Sequence, residues 1–351
     1  MSFEIGGRRI GPREPLFTIA ELGLNHGGSL ERALAMVDAA AAAGASAVKL
    51  QTFRAEELVS AECPAPAHVP DESLRHFFRQ FELDRAAHIA VAERAAGQGL
   101  AFIATPFSLP AIDMLVDVGA DALKIASGDL TFDALIAAAA STGLPLILST
   151  GMATLEETAH AVSVAREHGA SHLSVLHCVS SYPVPAGSEN LRAIQTLSHL
   201  FDLPVGLSDH AADTSAVPVA VALGATLYER HFMMPGDTGV DGAVSSTPEQ
   251  FADLVALAAR TQLALGHGRR ECLPAEAINL TASRRALHTT RALAPGHRIE
   301  RDDITVLRPS RGLSPALADQ LIGTVVTRPI AAGAPFLGHD LPSVRDQRGV
   351  A

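Results

Sequence analysis

Cysteine is scarce in this sequence of 351 residues, which contains only Cys63, Cys178 and Cys272. Three widely spaced thiols form neither a disulfide framework nor a metal-binding cysteine pair, and they fit a reducing compartment. Long apolar runs are also lacking, because AMVDAAAAAGASAV is alanine-rich, interrupted and too short to span a bilayer. The first residues, MSFEIGGRRIGPREP, have no apolar core of a secretory signal. These absences predict a soluble, cytoplasmic protein without a membrane partner.

Positive charge is in deficit, with 27 Lys and Arg against 38 Asp and Glu and a net charge of -11. This balance argues against a nucleic-acid-binding protein, which is usually basic. It does not exclude a small anionic substrate, because the charge inside a pocket decides that binding. Hydrophobic residues make up 48% of the chain, so it can form a sizeable core and disorder is not expected.

One pattern recurs eight times between Leu16 and Gly266. A short apolar run ends in polar residues, a helix-like stretch follows, and a glycine closes several of the units. Near-continuous apolar strands indicate a parallel sheet covered by helices, and eight units in about 250 residues fit a (β/α)8 TIM barrel. A doubly wound open sheet is the runner-up, although no GxGxxG pattern follows the first strand. The predicted helices include 30–43, 84–97, 155–168 and 248–265.

The pattern changes after Gly266. Residues 269–285 are polar and irregular, which is typical of a linker. Residues 286–345 contain short β-like segments with Gly and Pro turns, and they predict a small, mostly β domain close to the lower size limit for independent folding. The sequence therefore predicts a barrel over residues 1–268, a linker and a second domain.

Two lysines stand inside apolar strands, Lys49 in SAVKLQTF and Lys124 in DALKIASG. An unpaired buried ammonium costs on the order of several kcal/mol unless an anion meets it. Polar residues are common at strand ends because loops begin there. This accounts for serines and threonines at these positions, but not for two lysines inside apolar strands. Barrel enzymes carry their active sites at the strand C-termini. Two lysines and several hydroxyls at this end predict a site for phosphate or carboxylate.

His210 and His231 end neighbouring strands of the predicted barrel, and Glu21 ends another strand that could face them. Paired imidazoles suit Mn, Fe, Co or Zn better than Mg or Ca alone. Two histidines are a weak metal signal by themselves, so both a metal site and ordinary buried histidines stay open. Cys178 and its neighbour His177 point to opposite faces of a strand and are not expected to pair. Structural or exposed positions are predicted for His26, His88, His160, His168 and His177.

Eight short motifs occur in one order: ELGLNHGG, VKLQTF, ATPFS, LKIASGD, LSTGM, LHCVSSYP, GLSDH and ERHF. Together they resemble the bacterial sialic acid synthase family, which includes N-acetylneuraminate, legionaminate and pseudaminate synthases and a spore-coat polysaccharide relative. The segments ITVLRPSRGLSP and IGTVVTRPIAAGAPF resemble the antifreeze-like (SAF) domain of these enzymes. The resemblance covers nearly the whole chain.

The resemblance implies that phosphoenolpyruvate condenses with the open aldehyde form of an N-acetylated hexose, giving a nine-carbon 2-keto-3-deoxy acid and phosphate. It implies a divalent metal, Mn with Mg or Co as alternatives, on His210 and His231, with Glu21 reaching the metal-bound water. It also implies that Arg308 of one subunit contacts the sugar bound in the barrel of its partner. The protein would then be a domain-swapped homodimer. The positions matched to phosphoenolpyruvate are Lys49, Thr105, Lys124, Ser127, Ser149 and Ser208, and those matched to the sugar or reacting centre are Gln51, Asp129, Ser180, Tyr182 and Asp241.

Two positions depart from the pattern of neuraminate synthases. Asp129 stands where these enzymes usually have Glu, and Ser180 stands where some have Asn. A di-N-acetylated hexose is therefore an alternative acceptor to N-acetylmannosamine. Two other functions also stay open at this point: a phosphoenolpyruvate-dependent synthase acting on a phosphorylated sugar, and a non-catalytic carbohydrate-binding or assembly paralogue.

Overall fold

The first part of the molecule is a closed barrel of eight parallel strands. The structure, a computed structural model, describes residues 2–63 and 73–341. The eighth barrel strand pairs with both the seventh and the first, which closes the sheet and confirms the predicted (β/α)8 barrel. A hairpin precedes the barrel. Numbered along the chain, the hairpin strands are β1 (Phe3–Ile5) and β2 (Arg8–Ile10), and the barrel strands are β3 (Phe17–Glu21), β4 (Ala47–Thr52), β5 (Ala101–Pro106), β6 (Ala122–Ile125), β7 (Leu146–Ser149), β8 (Leu173–Cys178), β9 (Val205–Asp209) and β10 (Leu227–Phe232).

Helices cover the outside of the barrel. The predicted helix at 248–265 has the observed bounds, and the others differ by one residue at an end. The helix predicted from Asp84 begins one residue later, because the Asp84 carboxylate accepts a hydrogen bond from the Ala87 backbone N–H and caps the helix. The helices are α1 (Leu30–Ala42), α2 (Ala55–Leu58), α3 (Leu74–Arg79), α4 (Arg85–Gly97), α5 (Leu109–Asp117), α6 (Asp133–Ser141), α7 (Leu155–Glu167), α8 (Ala193–Phe201), α9 (Ala216–Ala222) and α10 (Pro248–Leu265).

The barrel interior is apolar at one level and polar at the next. Side chains of a strand alternate between its two faces, so every second residue points inward. The hairpin residues Phe3, Ile5 and Ile10 pack with the inner apolar residues and close the N-terminal end of the barrel. Two residues further along seven of the eight barrel strands, the inward position is a polar residue or a cysteine. The successive pairs are Ile19 and Glu21, Ala47 and Lys49, Ile103 and Thr105, Ala122 and Lys124, Ile147 and Ser149, Leu176 and Cys178, and Leu227 and Glu229.

The chain divides between Gly266 and His267 into two compact units. The second unit has its own apolar core, which includes Leu287, Ile299 and Phe336. Residues 269–285, predicted as an irregular linker, contain a short helix, and residues 342–345 of the predicted second domain lie outside the described residues. The elements of this unit are α11 (Ala277–Ser283), the antiparallel strands β12 (Ala286–Thr289) and β13 (Ile304–Leu307), and α12 (Ala318–Leu321).

The helices of the described ranges do not combine the length and apolar character that crossing a membrane requires. The longest of them, α10, has one face buried against the barrel through Phe251, Leu254 and Ala258, while Leu263 is exposed. This is the pattern of an amphipathic helix on a protein core.

Gly206 on β9 marks a close approach between neighbouring strands. A Cβ at this position would lie far inside contact distance of the Leu227 carbonyl oxygen and the Leu176 side chain. We therefore expect Gly206→Ala to destabilise the protein by about 1–3 kcal/mol through overpacking. Urea denaturation measures this change. The control is Gly97→Ala, because Gly97 ends α4 with open space around it. Equal stability of the two variants would contradict the close approach.

Candidate active site

A cavity of about 280 Å³ lies at the C-terminal ends of the barrel strands. It brings together most of the residues that the sequence predicted for a site. Several lining residues were not predicted, among them Phe107, Met152, Cys178 and Glu229. The predicted residues in its wall are Glu21, Lys49, Gln51, Thr105, Lys124, Ser127, Ser149, Ser180, Tyr182, Ser208, His210 and His231.

The floor of the cavity is a group of two lysines and two glutamates, which are almost inaccessible to solvent. Lys49 Nζ lies 2.5 Å from Glu21 Oε2, and it also donates to Thr105 Oγ1 at 3.1 Å. Lys124 Nζ lies 2.9 Å from Glu229 Oε1, and Lys49 Nζ lies 3.9 Å from the other oxygen of that carboxylate. Glu229 thus links the two lysines, which are the only lysines in the whole sequence.

The charges in this group stabilise one another. Burial opposes the charge of Glu229, but Lys124 and Lys49 together lower the pKa of its carboxyl to about 2. Burial likewise opposes the charge of Lys124, yet Glu229, with a smaller effect of Cys178, raises the pKa of that ammonium. Both groups are therefore charged at neutral pH. Glu229 is the anion that a buried lysine requires. The sequence could have indicated this role, because Glu229 precedes His231 by two residues and so faces the same side of the strand.

Hydroxyl groups surround the lysines. Ser208 Oγ donates to Glu229 Oε1 at 2.9 Å, and Ser127 Oγ donates to Ser149 Oγ at the same distance. Ser127 Oγ also accepts the backbone N–H of Gly151 at 3.0 Å, which fixes the loop after β7. Ammonium and hydroxyl donors that converge on one small space are suited to hold an anion with several oxygens.

His210 and His231 lie side by side, with ring centroids 5.4 Å apart. The Nδ1–H of His210 donates to the Val179 carbonyl at 3.0 Å, and Nδ1 of His231 lies 3.2 Å from Asp241 Oδ2. Nδ1 of His210 donates to a carbonyl and Nδ1 of His231 lies beside a carboxylate, so Nε2 is the nitrogen of each ring left to bind a ligand, as in many metal-binding histidines. Tyr182 stacks on His210 at a centroid distance of 4.1 Å.

The two imidazoles supply only some of the ligands that a divalent metal requires. Over residues 2–63 and 73–341, the His, Cys, Asp and Glu side chains form no cluster of three or more that could hold a metal ion. A metal on His210 and His231 would therefore take further ligands from water or substrate, which is typical of catalytic rather than structural sites. The arrangement fits the metal that the resemblance implies.

Cys178 contacts a histidine other than its neighbour in sequence. Cys178 lines the barrel cavity with Sγ 3.8 Å from His210 Nδ1, whereas His177 Nε2 lies 2.7 Å from the Glu189 carbonyl, so the two neighbours contact different partners. Burial works against the thiolate, but the contact with His210 lowers the pKa of the Cys178 thiol to about 7. The pairing of β8 with β9, which sets Cys178 opposite Ser208, brings this inward thiol close to the next strand end.

A buried ion pair lies behind the two histidines, on the outer face of the same strands. Arg230 Nη1 donates to Asp209 Oδ2 and to the Ala211 carbonyl, each at 2.9 Å, and Tyr228 also donates to Asp209. Arg230 Nε donates to Ser246 Oγ at 3.0 Å, on the two-residue strand β11 (Ser245–Ser246) beside β10. Arg230 therefore holds the backbone on both sides of His210 and the end of the loop that carries Asp241.

Gln51 lies in the cavity wall, whereas the predicted residues Asp129, Asp241 and Arg308 are not among the lining residues. Gln51 Nε2 donates to Glu21 Oε1 at 3.0 Å and thus contacts the charged floor. Asp129 follows β6, and burial raises its pKa to about 6, with one carboxylate oxygen left without a hydrogen-bond partner among the described residues. Asp241 reaches the site through His231. Arg308 belongs to the second unit, and its role stays a prediction.

Known protein families match both units of the chain. A model of the NeuB family matches residues 36–270, and a model of the SAF domain matches residues 284–342. An uncharacterized protein of Methanocaldococcus jannaschii is 38% identical over 311 residues, which are 88% of this chain and 90% of the relative. The N,N'-diacetyllegionaminic acid synthase of Legionella pneumophila is 35% identical over 331 residues, which are 92% of this chain and 93% of the relative.

Among solved structures, the chain is similar to an N-acetylneuraminic acid (sialic acid) synthetase from Leptospira borgpetersenii in complex with citrate. The TM-score is 0.72 at 37% identity, and the match covers 80% of this chain and 95% of the other.

The Arg230 network predicts a large effect of one substitution. Arg230→Met should destabilise the protein by about 3–5 kcal/mol, because it leaves the Asp209 carboxylate buried without its cation. Urea denaturation followed by circular dichroism gives the change in unfolding free energy. Arg301→Met serves as control, since the Arg301–Asp319 pair is exposed and should contribute little. A loss no larger than that of the control would mean that the pair behind the histidines is unimportant for stability.

Proposed function

This chain belongs to the NeuB family, which confirms the resemblance of its motifs, and we propose that it condenses phosphoenolpyruvate with an N-acetylated hexose. The products are a nine-carbon 2-keto-3-deoxy acid and phosphate. One observation carries the proposal: Lys49 and Lys124, the only lysines of the chain, both contact the Glu229 carboxylate at the strand ends of a barrel. Relatives of similar length are synthases of sialic-acid-type sugars, which supports the same reaction class.

The lysines and hydroxyls form the proposed phosphoenolpyruvate site. Phosphoenolpyruvate carries a phosphate and a carboxylate, so it can engage both ammonium groups at once. Glu21 and Glu229 keep these cations in place before the substrate arrives, which lowers the reorganisation needed on binding. The hydroxyl donors assigned to the same substrate are Thr105, Ser127, Ser149 and Ser208.

We assign a divalent metal, Mn with Mg or Co as alternatives, to Nε2 of His210 and His231. Imidazole nitrogens with water and carboxylate oxygens suit manganese. A bound divalent ion would supply Lewis-acid polarisation of the sugar aldehyde. The stacked ring of Tyr182 and the Asp241 carboxylate orient the two imidazoles from either side.

The chemical steps follow from the two substrates. The methylene carbon of phosphoenolpyruvate attacks the aldehyde carbon, a new C–C bond forms, and the aldehyde oxygen takes a proton to become a hydroxyl. Water adds to the resulting cation at C2 and loses a proton, and the tetrahedral intermediate then expels phosphate as the ketone forms. Charge builds up on the departing phosphate, where Lys49 and Lys124 stabilise it.

Glu21 is the carboxylate that we assign to proton transfer. Glu229 is a poor base, because its two lysine partners lower its pKa to about 2. Glu21 lies at the same floor and contacts Gln51, so its orientation is set from the side opposite Lys49.

The sugar is assigned to the outer part of the cavity, above the phosphoenolpyruvate site. We propose that Ser180, Tyr182 and Asp129 contact it from the barrel. We also propose that Arg308 reaches it from the partner subunit of a domain-swapped homodimer, as the resemblance implies.

The proposed reaction is tested by phosphate release. The protein is incubated with phosphoenolpyruvate, Mn²⁺ and a panel of N-acetylated hexoses and sugar phosphates. We expect release with at least one N-acetylated hexose and none with arabinose 5-phosphate, since the acceptor needs an aldehyde but no second phosphate. Release with arabinose 5-phosphate alone would support a synthase of phosphorylated sugars, and no release with any acceptor would contradict the proposal.

Loss of Lys124 should weaken phosphoenolpyruvate binding. We expect Lys124→Met to weaken binding by about 10–100-fold, because a hydrogen bond to a charged group contributes about 1.5–3 kcal/mol. Calorimetry measures the affinity, and Arg260→Met on the outer helix α10 is the control. Labelling lysine Cε with ¹³C gives a second readout, since only Lys49 and Lys124 contribute signals. Unchanged affinity, or lysine signals that do not respond to phosphoenolpyruvate in the unsubstituted protein, would overturn the assignment.

A further inference from the structure

The loop between β10 and β11 carries Asp241 to the side of His231. It comprises residues 233–244, and we name it the Asp241 loop. Asp241 Oδ2 lies 3.2 Å from His231 Nδ1, so the position of this loop sets the orientation of the imidazole. The contacts that hold Asp241 in place therefore bear on how His231 can act as a ligand.

Asn25, in the segment after β3, is hydrogen-bonded to both ends of the Asp241 loop. The residue is buried. Asn25 Nδ2 donates to the Phe232 carbonyl and to Ser245 Oγ, each at 2.9 Å. Phe232 is the residue before the loop, and Ser245 is the residue after it. One amide group therefore ties the start of the loop to its end.

A further hydrogen bond continues from Asn25 to Asp241. Ser245 Oγ, which accepts from Asn25, donates to the backbone carbonyl of Asp241 at 2.7 Å. The Phe232 carbonyl can only accept, so the NH₂ group of Asn25 must face it and Oδ1 points the other way. Oδ1 is buried and has no hydrogen-bond partner among residues 2–63 and 73–341. The Asn25 side chain is therefore held by its two donor bonds to the loop ends.

The segment after β3 and the Asp241 loop also pack closely through their backbones. A Cβ at Gly239, within the loop, would collide with Asn25 Oδ1. A Cβ at Gly23 would lie 2.8 Å from Asp241 Oδ2 and 3.0 Å from His231 Nδ1. Because neither position has room for a side chain, the two segments fit together closely, directly beside the contact between the carboxylate and the imidazole.

We propose that Asn25 is a positioning residue, which holds the Asp241 loop so that Asp241 orients the His231 imidazole for metal binding. Asn25 acts through Ser245 and the loop backbone, and it is not among the residues that line the active-site cavity. The inference rests on the metal assigned to His210 and His231 in the proposed function. It adds to that site a residue that contacts neither imidazole.

The test measures the affinity of the protein for Mn²⁺ alone, by electron paramagnetic resonance of the free ion. We expect Asn25→Ala to lower this affinity about tenfold, the lower end of the effect of losing an outer partner of a metal-binding histidine. Phosphoenolpyruvate affinity, measured by calorimetry without metal, should not change, because Lys49 and Lys124 lie on other strands. Ser245→Ala removes a single oxygen, serves if Asn25→Ala does not fold, and should lower Mn²⁺ affinity in the same way. Asn279→Ala, on α11 of the second unit, is the matched control and should change neither affinity.

A double-mutant cycle distinguishes positioning from a general loss of stability. If Asn25 acts through Asp241, Asn25→Ala should lower Mn²⁺ affinity much less in the Asp241→Asn protein than in the unsubstituted one. Independent, additive losses, equal losses of Mn²⁺ and phosphoenolpyruvate affinity, or unchanged Mn²⁺ affinity in the variants would overturn this inference while leaving the synthase function intact. Absence of Mn²⁺ binding to the unsubstituted protein would overturn the inference together with the metal assignment.

Discussion

The pairing of two buried lysines with two buried glutamates is the interaction on which the site depends. Lys49 and Lys124 lie inside the barrel, where an isolated ammonium would be costly, and Glu21 and Glu229 supply the compensating charge. Lys49, Glu21 and Glu229 each also have a hydroxyl or amide neighbour, which helps to fix the group in place. An incoming anion meets cations that are already oriented, and the barrel does not have to rearrange to hold them.

Strand alternation explains why so much of the site could be predicted from the sequence. Inward positions recur every second residue, so Lys49, Lys124 and Ser208 had to face the barrel axis once the strands were identified. The strands themselves were recognisable because parallel strands covered by helices are apolar on both faces. Neither inference needs the distance between two strands.

Contacts across strands could not be predicted in the same way. Glu229 contacts both lysines only because the barrel closes between β10 and β3 and brings distant strands to one axis. The contact between Cys178 and His210 also depends on the register of β8 against β9, which no local pattern specifies. The helix in 277–283 was missed because its seven residues are too few to show a helical period.

The ion pair of Arg230 and Asp209 has a consequence for how this site can change over evolutionary time. Arg230 joins the segments that carry His210, His231 and Asp241. Replacing either Arg230 or Asp209 alone by a neutral residue therefore leaves the other charge buried without its counter-ion. A lineage that alters the spacing of the two imidazoles must pass through such a defective intermediate or replace both partners together. The proposed acceptor end includes Ser180, whose side chain takes no part in an ion pair among the described residues. Substrate choice can therefore drift by single substitutions while the histidine pair stays fixed.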